Sequence, residues 1–417
     1  MKKIFLLVIA IAFISINLVD AQRYDIVIKG GHVIDPKNNI NEVMDIAIQD
    51  GKIARLARNI DAKEGLQSVN ARGFYVTPGL IDIHVHVFHG PYVDQQYMNG
   101  PNSLPPDGFT FRAGVTTVVD TGSPGWRRFP DFKRRVIDVS RTRVLAYLNI
   151  VGEGMRGGTF EQNIGDMNPR VTAQYALDNA EHIVGIKLAH FSGPDWTPTD
   201  LTVEAGRLAD MPVMIDFGGS NPPLSIEELF MERLRPGDIF SHTYAQLGSR
   251  EYIVDLETNK VKPFMWDARE RGIIFEVGHG GGSFRFSQAI PAMKDGFHPD
   301  VISTDLHIGS MNSSMKDMLT TMTKFMAMGM DFQSVIEAST WKPAQVINRE
   351  ELGHLSVGAE ADVAILNIRS GNFGLFDVAG DRIESDEKLE CEMTIRAGRI
   401  VYDLNGIAVP LSPPRRN

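Results

Sequence analysis

Short apolar runs alternate with helical stretches through the middle of the chain. The stretches between the runs carry helix-start signals, such as Ser225 followed three residues later by Glu228. The pattern predicts eight buried strands: Leu80–Val87, Thr116–Asp120, Val144–Ile150, Ile183–Ala189, Pro212–Phe217, Asp238–His242, Ile273–Val277 and Val301–Asp305. Eight strands separated by helices predict an α/β fold, a (β/α)₈ TIM-like barrel over residues 75–350. A doubly wound open sheet is the alternative.

The two ends of the chain alternate apolar and polar residues, as half-buried strands do. An Asp50-Gly51 pair between two such runs predicts a tight hairpin. Similar runs return near the C-terminus, at Asp362–Leu366, Met393–Ile395 and Ile400–Tyr402. Neither end has enough strands to close a core alone. We therefore expect residues 22–74 and 351–417 to form one composite β-sandwich from both chain ends.

The first 21 residues have the pattern of a secretory signal peptide. Lys2 and Lys3 precede an uncharged apolar run, Ile4–Val19, and small residues at Val19 and Ala21 suit a cleavage site before Gln22. A membrane anchor is the alternative, but the run is shorter than the ~20 residues that span a bilayer. We expect a periplasmic or secreted protein that has no membrane association once residues 1–21 are removed.

Composition excludes several classes of function. The 417 residues include 42 Lys and Arg against 52 Asp and Glu, a net charge of −10, without the basic block that nucleic-acid binding needs. Cys391 is the single cysteine, which excludes an intramolecular disulfide and suits a small buried apolar side chain. The chain contains no G-x-S-x-G motif, so a serine hydrolase of that type is excluded.

Metal-ligating residue types gather at the predicted strand ends. In a barrel, the C-terminal ends of the strands meet at one mouth, where active sites lie. Imidazole and carboxylate groups that converge there are the ligands that zinc and similar divalent cations require. The residues at these positions are His84 and His86 on the first strand, Lys187, Asp216, His242 and Asp305.

Four segments resemble a known family. Val76–His86 resembles the first-strand signature of the amidohydrolase superfamily, metal hydrolases that include dihydroorotase, hydantoinase, allantoinase and D-aminoacylase. Gly353–Asp362 is similar to the family's return into its composite sandwich. Gly278–Phe284 and Ile302–His307 resemble a narrower amidohydrolase/deacetylase branch.

The resemblance implies a metal-dependent hydrolase and assigns roles to residues. His84, His86 and Asp305 would hold one ion, and His242 a second, with zinc as the expected metal and manganese as an alternative. Lys187 would bridge the ions as an N6-carboxylated lysine, since a plain ammonium cannot ligate a cation. A metal-bound hydroxide would attack an amide or ester carbonyl, and Asp305 would be the catalytic group that moves the proton.

Asp216 departs from the family pattern, which usually supplies a histidine from the fifth strand. A carboxylate can still ligate zinc or manganese, and we expect Asp216 to do so. The alternative is that Asp216 only hydrogen-bonds a neighbouring ligand and that the site holds one ion.

The substrate is harder to predict. The resemblance implies a deacetylase-like reaction on a small acylated carboxylic or amino acid. Arg156 is the candidate for binding a carboxylate, and a surface loop arginine is its alternative role. His279 and Gly280 in the glycine-rich loop are candidate substrate contacts, and His307 is a further one. A cyclic amide hydrolase of the dihydroorotase or hydantoinase type, or a non-catalytic ligand-binding barrel, stays open, as does a homo-oligomer.

Overall fold

The computed structural model describes residues 23–216, 219–220 and 222–411. The predicted signal peptide, residues 1–21, lies outside these ranges, as do the end of the predicted sandwich, residues 412–417, and Phe217 of the fifth predicted strand. No helix within the described ranges is long and apolar enough to cross a membrane.

The structure contains two main sheets and a set of short helices. The strands are β1 Tyr24–Asp35, β2 Ile40–Gln49, β3 Lys52–Ala57, β4 Gly65–Asn70, β5 Tyr75–Pro78, β6 Leu80–Val85, β7 Val115–Gly125, β8 Arg143–Asn149, β9 Ile183–Leu188, β10 Val213–Ile215, β11 Ile239–Phe240, β12 Val254–Asp255, β13 Lys260–Val261, β14 Ile274–Phe275, β15 Val363–Phe376, β16 Arg382–Arg396, β17 Arg399–Asp403 and β18 Ala408–Pro410. The α-helices are α1 Phe129–Arg135, α2 Pro169–Asp178, α3 Thr197–Ala209, α4 Ile226–Glu228, α5 Phe264–Glu270, α6 Phe286–Lys294, α7 Ile308–Met311, α8 Met318–Ala327, α9 Phe332–Glu337 and α10 Trp341–Val346. Helix α4 begins after Ser225, whose side chain caps the Glu228 N–H as the sequence predicts, and runs into a π-helical turn at Leu229–Arg233.

The central sheet is a curled parallel sheet that the chain closes into a barrel. Within the described residues its seven strands follow the order β14-β11-β10-β9-β8-β7-β6. The segment 301–306 lies between the two outer strands, because Val301 bridges to Glu276 and Leu306 bridges to Val85 in parallel. The TIM-like fold that the sequence predicts is confirmed.

The eighth predicted strand, Val301–Asp305, forms isolated bridges rather than a regular ladder. The Thr304 N–H donates to the Asp82 carboxylate at 3.1 Å, and Asp305 has a left-handed backbone with φ of 52°. This local geometry bends the segment at the barrel mouth. It therefore brings the Asp305 side chain toward His84 and His86 at the end of β6.

The other sheet joins the two ends of the chain. Its main path within the described residues is β17-β16-β15-β5-β1-β2-β3, with β4 beside β1 and β18 beside β4. The antiparallel pairing of Val76 with Ile365 connects the N-terminal and C-terminal parts. Asp50 and Gly51 both have positive φ, as the predicted tight turn requires. Strand β5 belongs to this sheet, and the chain enters β6 of the barrel directly after Gly79.

Cys391 lies in β16 and is buried against Thr394. Burial raises the pKa of its thiol to about 12, so the thiol stays protonated. The sequence prediction of a small buried side chain is confirmed.

Candidate metal centre

His84 and His86 extend from the end of β6 into the barrel mouth and approach one carboxylate. The Asp305 Oδ1 atom is 3.7 Å from His84 Nε2 and 3.2 Å from His86 Nε2. Burial lowers the pKa of both histidines to about 4, so both rings are neutral at pH 7. Neutral imidazoles have a nitrogen lone pair, which a metal ion can accept.

The second ring nitrogen of each histidine has its own partner. His84 Nδ1 is 3.2 Å from Glu276 Oε1, and His86 Nδ1 is 3.0 Å from the Ser123 hydroxyl. Glu276 is fully buried and also accepts hydrogen bonds from Ser241 and Ser303. Burial alone would raise the pKa of Glu276, but His84 and these donors lower it to about 2. An ionised Glu276 thus holds the His84 Nδ1 proton and directs Nε2 to the mouth, as carboxylates behind metal-binding histidines do.

Asp216 and His242 stand together on the neighbouring side of the mouth. His242 Nε2 is 3.4 Å from Asp216 Oδ2, and its Nδ1 donates to the Gly278 carbonyl at 2.5 Å. Burial would lower the pKa of His242, but the Asp216 carboxylate raises it. His84, His242 and Asp305 form a compact group whose ligand atoms lie within 4.8 Å of one another.

Lys187 lies near the end of β9 and faces Asp216. Its side chain is fully buried, and within the described part of the chain its Nζ has no hydrogen-bond partner. The nearest carboxylate oxygen with which it pairs is Asp216 Oδ2, at 3.9 Å. Burial lowers the pKa of Lys187, which favours the neutral amine. Gly122 borders the lysine stem so closely that a Cβ there would lie 2.8 Å from the Lys187 Cγ.

The donor set fits a divalent cation. It combines neutral imidazoles, two carboxylates and a buried amine without a hydrogen-bond partner, all at the C-terminal ends of barrel strands. The sequence named these six residues separately: His84, His86, Lys187, Asp216, His242 and Asp305. The structure brings them to one mouth, although their ligand roles stay predictions.

Comparison with known proteins identifies the family. A model described as the amidohydrolase family matches residues 286–401. The chain is 33% identical to a deacetylase of Brucella anthropi over 345 residues, which cover 80% of this chain and 81% of that protein. The chain belongs to the amidohydrolase family. It is a hydrolase that acts on carbon–nitrogen bonds.

Solved structures agree with this assignment. The amidohydrolase chain superimposes on an adenine deaminase with a TM-score of 0.80 at 28% identity, over 91% of this chain and 100% of that one. It superimposes on a dihydroorotase with a TM-score of 0.78 at 29% identity, over 91% and 99% of the two chains. The fold is therefore shared with enzymes that are named for different substrates.

Arg156, His279 and Gly280, three of the four predicted substrate contacts of this amidohydrolase, have different surroundings. The Arg156 guanidinium lies 4.1 Å from the centre of the Phe160 ring and faces Asp94 at 3.8 Å and Glu153 at 4.0 Å. The guanidinium therefore contacts residues of the neighbouring loops.

The other two predicted contacts lie in the glycine-rich loop. The His279 ring is fully buried, stacks on Phe284 and places Nε2 2.6 Å from Lys324 Nζ. Gly280 lies against the metal-ligand group, since a Cβ there would come within 2.7 Å of Asp305 Oδ2. Of the three, Gly280 is the one that the structure places beside the predicted ligands.

Sequence reasoning missed several groups at the mouth. The Tyr97 ring lies 4.4 Å from the His86 ring, and burial raises the pKa of its hydroxyl, which stays a hydrogen-bond donor. His190 Nε2 lies 3.6 Å from Asp216 Oδ2. Tyr97 comes from a long loop with no signal in its pattern. His190 could have been suspected because it follows Lys187 by three residues at a strand end.

Proposed function

We propose that this amidohydrolase hydrolyses an amide or ester bond of a small acylated carboxylic or amino acid, as a deacetylase does. The observation that carries the proposal is the approach of two neutral histidines to one carboxylate, His84 and His86 to Asp305, at the barrel mouth. The similarity to a protein named deacetylase supports the acyl substrate.

In this proposal the six residues hold two divalent ions, zinc or manganese. His84, His86 and Asp305 would bind one ion, and His242 and Asp216 would bind the other. Lys187 would bridge them after its neutral amine adds carbon dioxide and releases one proton, which forms a carbamate. A divalent ion held by such groups lowers the pKa of water and polarises a carbonyl group.

Asp305 is the proposed catalytic residue, because its carboxylate lies beside both histidines. Burial would raise its pKa, but His307 and His84 keep the pKa well below its usual range. The carboxylate is thus ionised at neutral pH, can accept a proton from water and can deliver it to the leaving nitrogen or oxygen. His307 Nδ1 accepts the Gly309 N–H, so its proton is on Nε2, 3.9 Å from Asp305 Oδ2. Tyr97 supplies a hydroxyl donor for the substrate.

The test is a substrate screen with the metal-loaded protein. N-acetyl amino acids and O-acetyl hydroxy acids are compared with dihydroorotate and hydantoins, and Asp305→Asn is the inactive control. Faster turnover of the acetylated acids, lost in Asp305→Asn, supports the proposal. Preference for the cyclic amides favours the second candidate, which the likeness to a dihydroorotase supports. Full activity of Asp305→Asn would contradict the assigned role.

We also propose that the protein is exported, on the basis of Lys2, Lys3 and the apolar run Ile4–Val19. Expression of the full chain in a bacterium, followed by mass analysis of the periplasmic and medium fractions, tests this. A mature N-terminus at Gln22 is expected. If the protein is instead recovered from the membrane fraction with residues 1–21 still attached, it is anchored to the membrane.

A further inference from the structure

Among the described residues, three nitrogen atoms approach one oxygen of Asp216. The Oδ2 atom is 3.4 Å from His242 Nε2, 3.6 Å from His190 Nε2 and 3.9 Å from Lys187 Nζ. The two longer separations exceed hydrogen-bond length. Ligands of a tetrahedral zinc ion, each about 2.1 Å from the metal, lie about 3.4 Å from one another. The spacing around Asp216 is thus close to that of groups that share a cation.

The His190 ring is held in place by a carboxylate behind it. His190 Nδ1 is 2.8 Å from Glu161 Oε2, and Glu161 is buried. The side chain of Gln162 donates to the His190 carbonyl at 2.7 Å, where the backbone is left-handed with φ of 53°. The ring therefore presents Nε2 to Asp216. A histidine that donates one ring N–H to a carboxylate and turns the other nitrogen to the site has the arrangement of a metal ligand.

We infer that His190 is a ligand of the second divalent ion, together with Asp216, His242 and Lys187, and that Glu161 is the residue that positions it. The inference rests on the proposed metal-dependent function and adds a ligand from the end of β9. The metal would be a borderline cation such as Zn²⁺, because the site combines imidazole and carboxylate ligands.

The test counts metal ions in the intact protein. Wild type, His190→Gln and Glu161→Gln are reconstituted with Zn²⁺, dialysed and analysed for zinc per chain, and then titrated with Co²⁺ while the visible spectrum is recorded. We expect two ions in wild type. Glu161→Gln, which removes the partner behind His190, should bind the second ion 10- to 100-fold more weakly, and His190→Gln should lose more affinity and change the cobalt spectrum. The first ion should stay in both variants.

His182→Gln is the matched control, because the half-buried His182 precedes β9 and pairs with the exposed Glu181. It should bind both ions as wild type does. The inference would be overturned if His190→Gln bound two ions with unchanged affinity and an unchanged cobalt spectrum. It would also be overturned if wild type bound a single ion and His190→Gln bound that ion equally well. A wild type that binds no ion would overturn the proposed function itself. Circular dichroism confirms that each variant is folded.

Discussion

At the scale of single residues, the site gathers three buried carboxylates beside its histidines. Asp216, Glu276 and Asp305 are all held ionised, since the pKa of each carboxyl lies below its ordinary value despite burial. His84 and His86 are neutral, and Lys187 is shifted toward its neutral form. Buried charges need compensation, and the proposed divalent cations would provide it at the position where these side chains converge.

Replacement of Glu276 tests how much the carboxylate behind His84 contributes to metal affinity. Glu276→Gln keeps the size of the side chain but removes the charge that holds the His84 Nδ1 proton. We expect metal affinity to fall 10- to 100-fold, because partners behind the ligands usually have effects of that size. Competition with a chelator measures it. Glu270→Gln, on the surface of α5, is the control and should bind as wild type does; an equal loss there would show a general charge effect.

Lys324 gives a prediction of pH dependence. Burial lowers its pKa from 10.5 to about 7. The unfolded chain therefore binds more protons than the native protein between pH 7 and 10.5, so this residue makes stability rise with pH across that window. In urea unfolding, Lys324→Met should weaken the rise relative to wild type. Lys294→Met, at an exposed position, should leave the slope unchanged. An unaltered slope in Lys324→Met would mean that the native structure does not lower the pKa of Lys324.

At the scale of elements, apolar runs located the barrel strands but not where they end. Strands β10 and β11 are shorter than the runs that predicted them, and the mouth begins where the backbone leaves the sheet. His242 and Asp305 have φ of 54° and 52°. Hydrophobic periodicity does not encode such turns. The pairing of His84 with Glu276 also escapes sequence patterns, since it joins residues 192 positions apart.

Gly278, in the loop after β14, lies against two of the predicted metal ligands. A Cβ at Gly278 would lie 2.9 Å from His242 Nδ1 and 3.0 Å from His84 Nδ1, and φ there is +44°. Gly278→Ala should therefore displace both histidines, weaken metal binding and cost about 1–3 kcal/mol of stability. Metal content and urea unfolding measure the two effects.

Gly282→Ala is the control in the same loop, because a Cβ there meets nothing within 4 Å. It should leave metal content and stability unchanged. Equal losses in the two variants would show that the loop responds to any added methyl group, rather than to a clash with the ligands.

At the scale of the whole molecule, the terminal sheet and the barrel share one ion-pair network. Asp362, just before β15, accepts from Arg143 of β8 at 2.9 Å and from Arg396 of β16 at 3.2 Å, and its carbonyl accepts the Gly79 N–H. The sequence could predict that the chain ends pair, because neither end closes a core alone. It could not predict this junction, since Arg143 and Asp362 are 219 positions apart.

Loss of Asp362 should destabilise both parts together. Asp362→Ala leaves Arg143 and Arg396 without this largely buried partner, so we expect the free energy of unfolding to fall by about 2–4 kcal/mol. Urea unfolding, followed by far-ultraviolet circular dichroism and tryptophan fluorescence, should show one earlier transition with both probes. Arg382→Ala, which breaks an exposed pair with Glu384, should change stability by less than about 0.5 kcal/mol. Separate transitions in Asp362→Ala, with the barrel unaffected, would show that the barrel folds independently of the terminal sheet.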